Sequence, residues 1–183
     1  FFEFKGDIEA LLEALKIRKY EYEPEKEIAF MHPGRTARLF IGGKDSGIFG
    51  QIHPAVAKKW GCPDNTMVAM LRTDVLIANV TDIPKNKELP KFPAVTRDIA
   101  VVLDADVPAG HVEKLIRQRG GKALETCTLF DCYIGAQVPE GKKRLAYALA
   151  FRDATRTLTD EDVNKFMKKI LNGLEMQFGA SLR

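Results

Sequence analysis

The sequence predicts an α+β protein of two successive parts, and three observations carry that expectation. A proline-rich stretch divides the 183-residue chain near its middle. Runs rich in β-branched and apolar residues, several of them alternating in character, recur on both sides of it, as strands do. In the second part, two segments with apolar residues at helical spacing fall between and after such runs, as helices covering one face of a sheet would.

In the first part, Gly6-Asp7 precedes Ile8, Leu11, Leu12 and Leu15. This i, i+3, i+4, i+7 stripe behind an N-capping residue predicts a helix over 7–16, with Phe1 to Lys5 read as part of a strand. His32-Pro33-Gly34 predicts a turn, followed by a strand over 36–41. The loop Gly42-Gly43-Lys44-Asp45-Ser46-Gly47 predicts a hairpin whose return strand covers 48–52. Pro54 opens a short helix carrying Val56 and Trp60, and Gly61 stops it. Residues 67–79 read as one further strand.

The dividing segment, 83–93, holds three prolines and four charges, which predicts an extended connector. Beyond it, 99–103 is β-branched and apolar, a strand. Pro108 opens a helix with Val112, Leu115 and Ile116 inward, closed by Gly120-Gly121. Strands follow over 124–134 and 144–151, joined by a long loop from Gly135 to Gly141. Thr159 with Asp162 forms an acidic capping box ahead of Val163, Phe166, Met167, Ile170, Leu171 and Leu174. Gly179 ends that helix, and 180–182 is a short last strand. The order β-α-β-β-α-β predicts a ferredoxin-like sandwich: one antiparallel sheet, both helices on one face, the other face open.

Composition narrows the function classes. Apolar residues are 45% and charged residues 29%, the profile of a soluble globular protein. No apolar run approaches the ~20 residues that cross a bilayer, so no membrane partner is expected. The N-terminus lacks signal-peptide layout, and with Phe1 in place of Met the chain is expected to be a piece of something longer. Three cysteines (Cys62, Cys127, Cys132) at unpatterned spacing point to reduced thiols and a cytoplasmic setting. No metal-finger spacing is present. Residues 1–90 carry 13 basic and 13 acidic side chains, and residues 91–183 carry 15 and 12. That mild positive bias does not by itself identify a nucleic-acid partner.

The open face is where function is expected. In the strand ending at Phe151, Leu145, Tyr147, Leu149 and Phe151 share the core side, so Arg144, Ala146, Ala148, Ala150 and Arg152 point outward. Small alanines between two arginines make a flat surface suited to a planar ligand or a nucleic-acid strand. On the neighbouring strand, Thr128, Phe130 and Cys132 go inward if Phe130 is core, which leaves Leu129, Asp131 and Tyr133 on the open face. Tyr133 offers a stacking ring and Asp131 an acceptor for base N–H groups. The competing reading is half-buried sheet packing and a strand-end charge. Lys142, Lys143 and Arg144 begin the third strand, either as phosphate contacts or as a solvated charge run. Arg97 and Arg152 join the candidate set on the same face argument.

At this point motifs become specific. Phe92-Pro93-Ala94-Val95-Thr96-Arg97-Asp98-Ile99-Ala100 resembles the opening of the ferredoxin-fold anticodon-binding domain found in the β subunits of bacterial phenylalanine–tRNA ligases. Leu129-Phe130-Asp131-Cys132-Tyr133-Ile134-Gly135 with Val138-Pro139-Glu140-Gly141-Lys142-Lys143 is similar to its central hairpin. Phe151-Arg152-Asp153 and Arg156-Thr157-Leu158-Thr159-Asp160-Glu161-Asp162-Val163 resemble the entry to its last helix. In the first part, Phe1-Phe2-Glu3-Phe4-Lys5-Gly6-Asp7, His32-Pro33-Gly34-Arg35 and Ile52-His53-Pro54 resemble the end of the class II synthetase-like module of the same subunits.

The resemblance implies a domain at 91–183, preceded over 1–90 by the C-terminal part of an antiparallel α+β module and its linker. It implies an enzyme of two α and two β chains that charges tRNA(Phe) with phenylalanine, using ATP and magnesium. The chemistry would sit in the α chain, so this chain is expected to hold no catalytic and no metal residue. His32 and His53 each precede proline and are read as turn or packing residues. The family's anticodon contacts fall on Asp131 and Tyr133. A third position, a small hydroxyl in some members, is Arg144 here, and a guanidinium would reach phosphate or stack instead. Two other classes share the topology: a generic single-stranded RNA-binding module and an allosteric small-molecule domain. The first would carry interleaved strand aromatics in a Gly-aromatic motif, which is missing. The second would dimerise with ligand and ignore RNA.

Overall fold

Apolar residues at Phe1, Phe4, Ile8 and Leu12 recur at near-helical spacing, and they define the first element rather than a strand. The computed structural model, which describes residues 1–81 and 90–182, begins with helix α1 (Phe2–Ala14). Ile8 and Leu12 are buried, and the rings of Phe1 and Phe4 lie 5.8 and 6.4 Å from that of Phe49. The expected opening strand is therefore corrected: Phe1, at the cap, and Phe4 pack against the core at the start of a helix, and Phe2 is exposed. The chain divides into two compact units, Phe1–Asn86 and Lys87–Arg183. Of the expected connector over 83–93, residues 83–89 lie outside the described residues.

The first unit is a four-stranded antiparallel sheet ordered β1-β2-β3-β4. Strand β1 (Tyr20–Pro24) was not anticipated, although Tyr20-Glu21-Tyr22-Glu23 alternates with period two. Strand β2 (Met31–Ile41) includes the expected turn at 32–34, which is instead an irregularity in its pairing with β3 (Lys44–Ile52). The Gly42-Gly43 hairpin has positive φ at both residues (58° and 78°), as a tight two-residue turn requires. Helix α2 (Pro54–Trp60) ends on left-handed Gly61, as expected. The run 67–79 is not one strand. Strand β4 (Met67–Leu71) gives way to helix α3 (Thr73–Asn79), where Val75 and Leu76 turn into the core. Short apolar runs fit either period, and packing decided this one.

The second unit follows the expected order. Strand β5 (Val95–Asp104), helix α4 (Ala109–Gly120), strands β6 (Leu124–Tyr133) and β7 (Lys142–Phe151), helix α5 (Asp160–Phe178) and strand β8 (Ser181–Leu182) form a sheet ordered β6-β7-β5-β8, with every pair antiparallel. Both helices pack on one face. Their Val112, Leu115, Ile116, Val163, Ile170 and Leu174 meet Ile99, Val101, Leu103, Leu145, Tyr147, Leu149 and Phe151 in one core. Each large apolar side chain buried there contributes about 1.5–3 kcal/mol relative to exposure. The Tyr147 hydroxyl donates to the carbonyl of Ala109 at 3.0 Å, so its polar end is satisfied inside the core.

Candidate functional site

Alternation along β7 builds the open face. Leu145, Tyr147, Leu149 and Phe151 are buried under the helices, which sends Arg144, Ala146, Ala148 and Ala150 to the other side. Residues paired across antiparallel strands share a face. From β5, Ala100, Asp98 and Thr96 therefore lie beside Ala146, Ala148 and Ala150. From β6, Thr126 and Thr128 pair with Ala150 and Ala148, Asp131 pairs with Ala146, and Tyr133 pairs with Arg144. The surface has a floor of four alanines and a rim of polar, charged and aromatic groups.

Strand β6 reaches this arrangement through a bulge. Its register shifts between Leu129 and Asp131, where Phe130 is the extra residue. Strict alternation would put Thr128 inward and Leu129 outward. The structure reverses both: Thr128 faces Ala148, and Leu129 faces Tyr147 on the helix side. Phe130 is 58% exposed and is not core, and Cys132 is exposed. Asp131 and Tyr133 arrive on the open face because the bulge takes up one residue. Thr126 and Thr128 are open-face groups that sequence reasoning missed, and no local signal marks the bulge.

Three candidate residues come together. Arg144 Nη2 donates to Asp131 Oδ2 at 2.7 Å, and the Arg144 Cζ lies 5.3 Å from the centre of the Tyr133 ring. The Arg144 Nε is buried without a hydrogen-bond partner. Behind the ring, residue 135 must be small: a Cβ on Gly135 would lie 2.6 Å from Tyr133 Oη and 2.9 Å from its Cζ. Gly135, in the loop that follows β6, therefore borders the Tyr133 ring closely.

The other four candidates go elsewhere or are already engaged. Lys142 shares the face of Arg144 and pairs with Asp104 at 2.6 Å. Lys143 does not belong to the open face. It lies opposite Leu103 on the helix side, 9% exposed, and donates from Nζ to the carbonyl of Ala105 at 2.9 Å. Arg97 is likewise opposite Leu149, where it pairs with Asp160 at the start of α5. Lysine and arginine stems are long enough to pass along apolar surface, so strand parity alone decides their side. Arg152 donates from Nε to Glu125 at 2.8 Å and from Nη1 to the Phe92 carbonyl.

Arg152 also borders a cleft of ≈ 500 Å³ whose other lining residues include Arg119, Lys122, Asp153, Phe166 and Lys169. Among the described residues, Arg119, Lys122 and Lys169 have no ion-pair partner. The histidines of the first unit serve local structure. His32 Nδ1 accepts from the Gly34 N–H at 3.0 Å, and His53 Nδ1 accepts from the Ala55 N–H at 3.2 Å as the cap of α2. Among the described residues, no three His, Cys, Asp or Glu side chains gather as a metal ion would need. No helix among them is long and apolar enough to cross a membrane.

Comparison with known proteins places these observations. Residues 1–73 match the phenylalanyl tRNA synthetase beta chain CLM domain. The chain is 45% identical over 183 residues to the phenylalanine–tRNA ligase beta subunit of Clostridium tetani. It is 43% identical over 183 residues to that of Clostridium acetobutylicum, and 40% identical over 184 residues to that of Geobacillus kaustophilus. All of this chain is covered in each case, but only 23% of each relative, so it spans about a quarter of the length of these curated relatives. Residues 90–183, more than half of the chain, match the ferredoxin-fold anticodon binding domain, and the chain belongs to that family.

Proposed function

We propose that this chain is the tRNA-contacting, non-catalytic portion of a phenylalanine–tRNA ligase β subunit, with residues 91–183 holding the anticodon loop of tRNA(Phe) and 1–90 belonging to the synthetase-like module. The observation that carries the reading is the grouping of Asp131 and Tyr133 at the rim of an alanine floor, in a chain of an anticodon-binding family. A base stacked on Tyr133 places its edge toward Asp131. Guanine is the best fit, because its Watson–Crick edge carries two N–H donors for one carboxylate. The first anticodon base of a tRNA that reads phenylalanine codons is guanine. Thr126 and Thr128 supply further hydroxyls along the strand.

The role of such a site is positional. Binding held far from the reacting groups raises the rate only by orienting the acceptor end of the tRNA in the transition state. ATP and magnesium belong to the whole enzyme in this reading. Among the described residues, no three His, Cys, Asp or Glu side chains gather to hold magnesium. The α subunit is the proposed partner of the first unit, where Phe2, Trp60 and Ile77 are exposed. A cytoplasmic setting follows from tRNA charging, in keeping with three unpaired cysteines.

The test uses the full chain and a fluorescent anticodon stem-loop of tRNA(Phe). Tyr133→Ala removes a stack worth about 1–3 kcal/mol, and Asp131→Asn a directional contact of similar size. Each variant is expected to bind roughly 5- to 100-fold more weakly. If both bind as the wild type does, the assignment of this face is wrong.

A further inference from the structure

Arg144 holds a position on the open face that no base contact explains. Its guanidinium lies over the Tyr133 ring and donates to Asp131 Oδ2, which are the two contacts assigned above to a guanine base. The likeness is chemical as well as positional. The N1–C2–N2 fragment of guanine is itself a planar guanidine with adjacent N–H donors, so a carboxylate and an aromatic face that suit one suit the other. We infer that Arg144 is a built-in competitor for the base site: in the unliganded protein its side chain occupies the place of the guanine, and RNA binds by displacing it. This inference rests on the anticodon-site reading above and adds to it how the site is regulated.

Three features distinguish a displaceable occupant from a permanent strut. The ion pair is partly exposed on both sides, 27% for Arg144 and 42% for Asp131, and exposed pairs are weak and screened by salt. The Arg144 Nε is buried without an acceptor, so the closed arrangement leaves one donor unmet that an outward swing would hydrate. Register places Arg144 directly opposite Tyr133, and Lys142 lies two residues away on the same face. A displaced guanidinium therefore stays at the rim beside Lys142, itself paired with Asp104 at 2.6 Å, where RNA phosphates would pass. Apparent affinity equals intrinsic affinity reduced by the fraction of molecules with the site open.

The experiment measures stem-loop binding by the full chain carrying Arg144→Ala and Arg144→Lys, each alone and combined with Asp131→Asn. Removal of the competitor is expected to tighten binding roughly 3- to 30-fold in Arg144→Ala. Arg144→Lys keeps the charge but loses the planar fork, and it should tighten as well. The loss caused by Asp131→Asn should be larger in the Arg144→Ala background, because in the wild type the same change also releases the competitor. Millimolar methylguanidinium should fill the vacated place and weaken RNA binding to Arg144→Ala, while methylammonium at equal concentration should not. If Asp131→Asn and Tyr133→Ala weaken binding but both Arg144 variants bind equally or less well, Arg144 supports the site and the inference falls while the site reading stands. If Asp131→Asn changes nothing in either background and Tyr133→Ala changes nothing in the wild type, both fall.

Discussion

The Tyr133 ring lies against Gly135, where a side chain would crowd it. A methyl group there would sit 2.6 Å from the phenol oxygen, well inside contact distance, so the ring would have to shift from its present place beside Arg144. Gly135→Ala is therefore expected to weaken stem-loop binding nearly as much as Tyr133→Ala does. Its melting temperature should stay close to that of the wild type, because the loop carries no core residue at that point. Titration and melting curves on the same samples separate the two effects. The cysteines make a second residue-scale contrast. Burial pushes the Cys127 thiol up to about 12, whereas Cys132 is exposed. Iodoacetamide at mildly alkaline pH should label Cys132 and spare Cys127 until the chain is unfolded, as peptide mass spectrometry would show. A raised thiol favours the folded state fully below its unfolded value near 8.5, and that contribution is lost as pH climbs towards 12.

Among the elements, α5 has the most explicit start. The Thr159 hydroxyl accepts from the Asp162 N–H at 3.3 Å, and the Asp162 carboxylate accepts in return from the Thr159 N–H at 3.2 Å. Arg156 donates to the same carboxylate at 2.6 Å, and this contact, followed by those from Thr159, holds the Asp162 carboxyl well below the usual range. A depressed carboxyl favours folding above its unfolded value near 3.9, and the benefit disappears as pH falls through the folded value. Asp162→Asn should therefore lower stability at neutral pH and flatten the acid side of a stability–pH profile measured by urea unfolding. Thr159→Ala is expected to cost about 0.5–2 kcal/mol, as loss of a helix cap does. Because Val163, Ile170 and Leu174 of this helix cover the sheet, the cap also steadies the platform beneath the open face.

At the scale of the whole molecule, the surplus of cations over anions lies in residues 91–183. Among the described residues, Arg119, Lys122 and Lys169, which have no ion-pair partner, line one cleft, whereas Lys142, Lys143, Arg97 and Arg152 are already engaged. Binding of tRNA(Phe) should weaken with salt, and each phosphate contact removed should lower the log–log slope by about 0.7–0.9. Charge-neutral replacement of Lys122 and Lys169 tests whether the cleft belongs to the RNA path. A slope lowered by more than one unit would include it, and an unchanged slope would confine RNA to the open face.

What the amino-acid order alone determined was everything with a local period or a local punctuation mark. The β-α-β-β-α-β succession, the Thr159–Asp162 box, the Gly61 and Gly179 stops and the core side of β7 all rest on contacts within a few residues, and each was legible. The Phe1–Lys5 segment and the run 67–79 were misread because a short apolar stretch satisfies both helical and strand spacing until a partner surface selects one. The bulge at Phe130 was invisible for a different reason: an extra residue in one strand has meaning only against the register of its neighbour. Tertiary pairing alone decided that Thr128 joins Asp131 and Tyr133, that Lys143 and Arg97 leave the face, and that Arg144 contacts both Asp131 and Tyr133. Long cationic side chains and strand register answer to cross-strand neighbours, which the linear chain does not name.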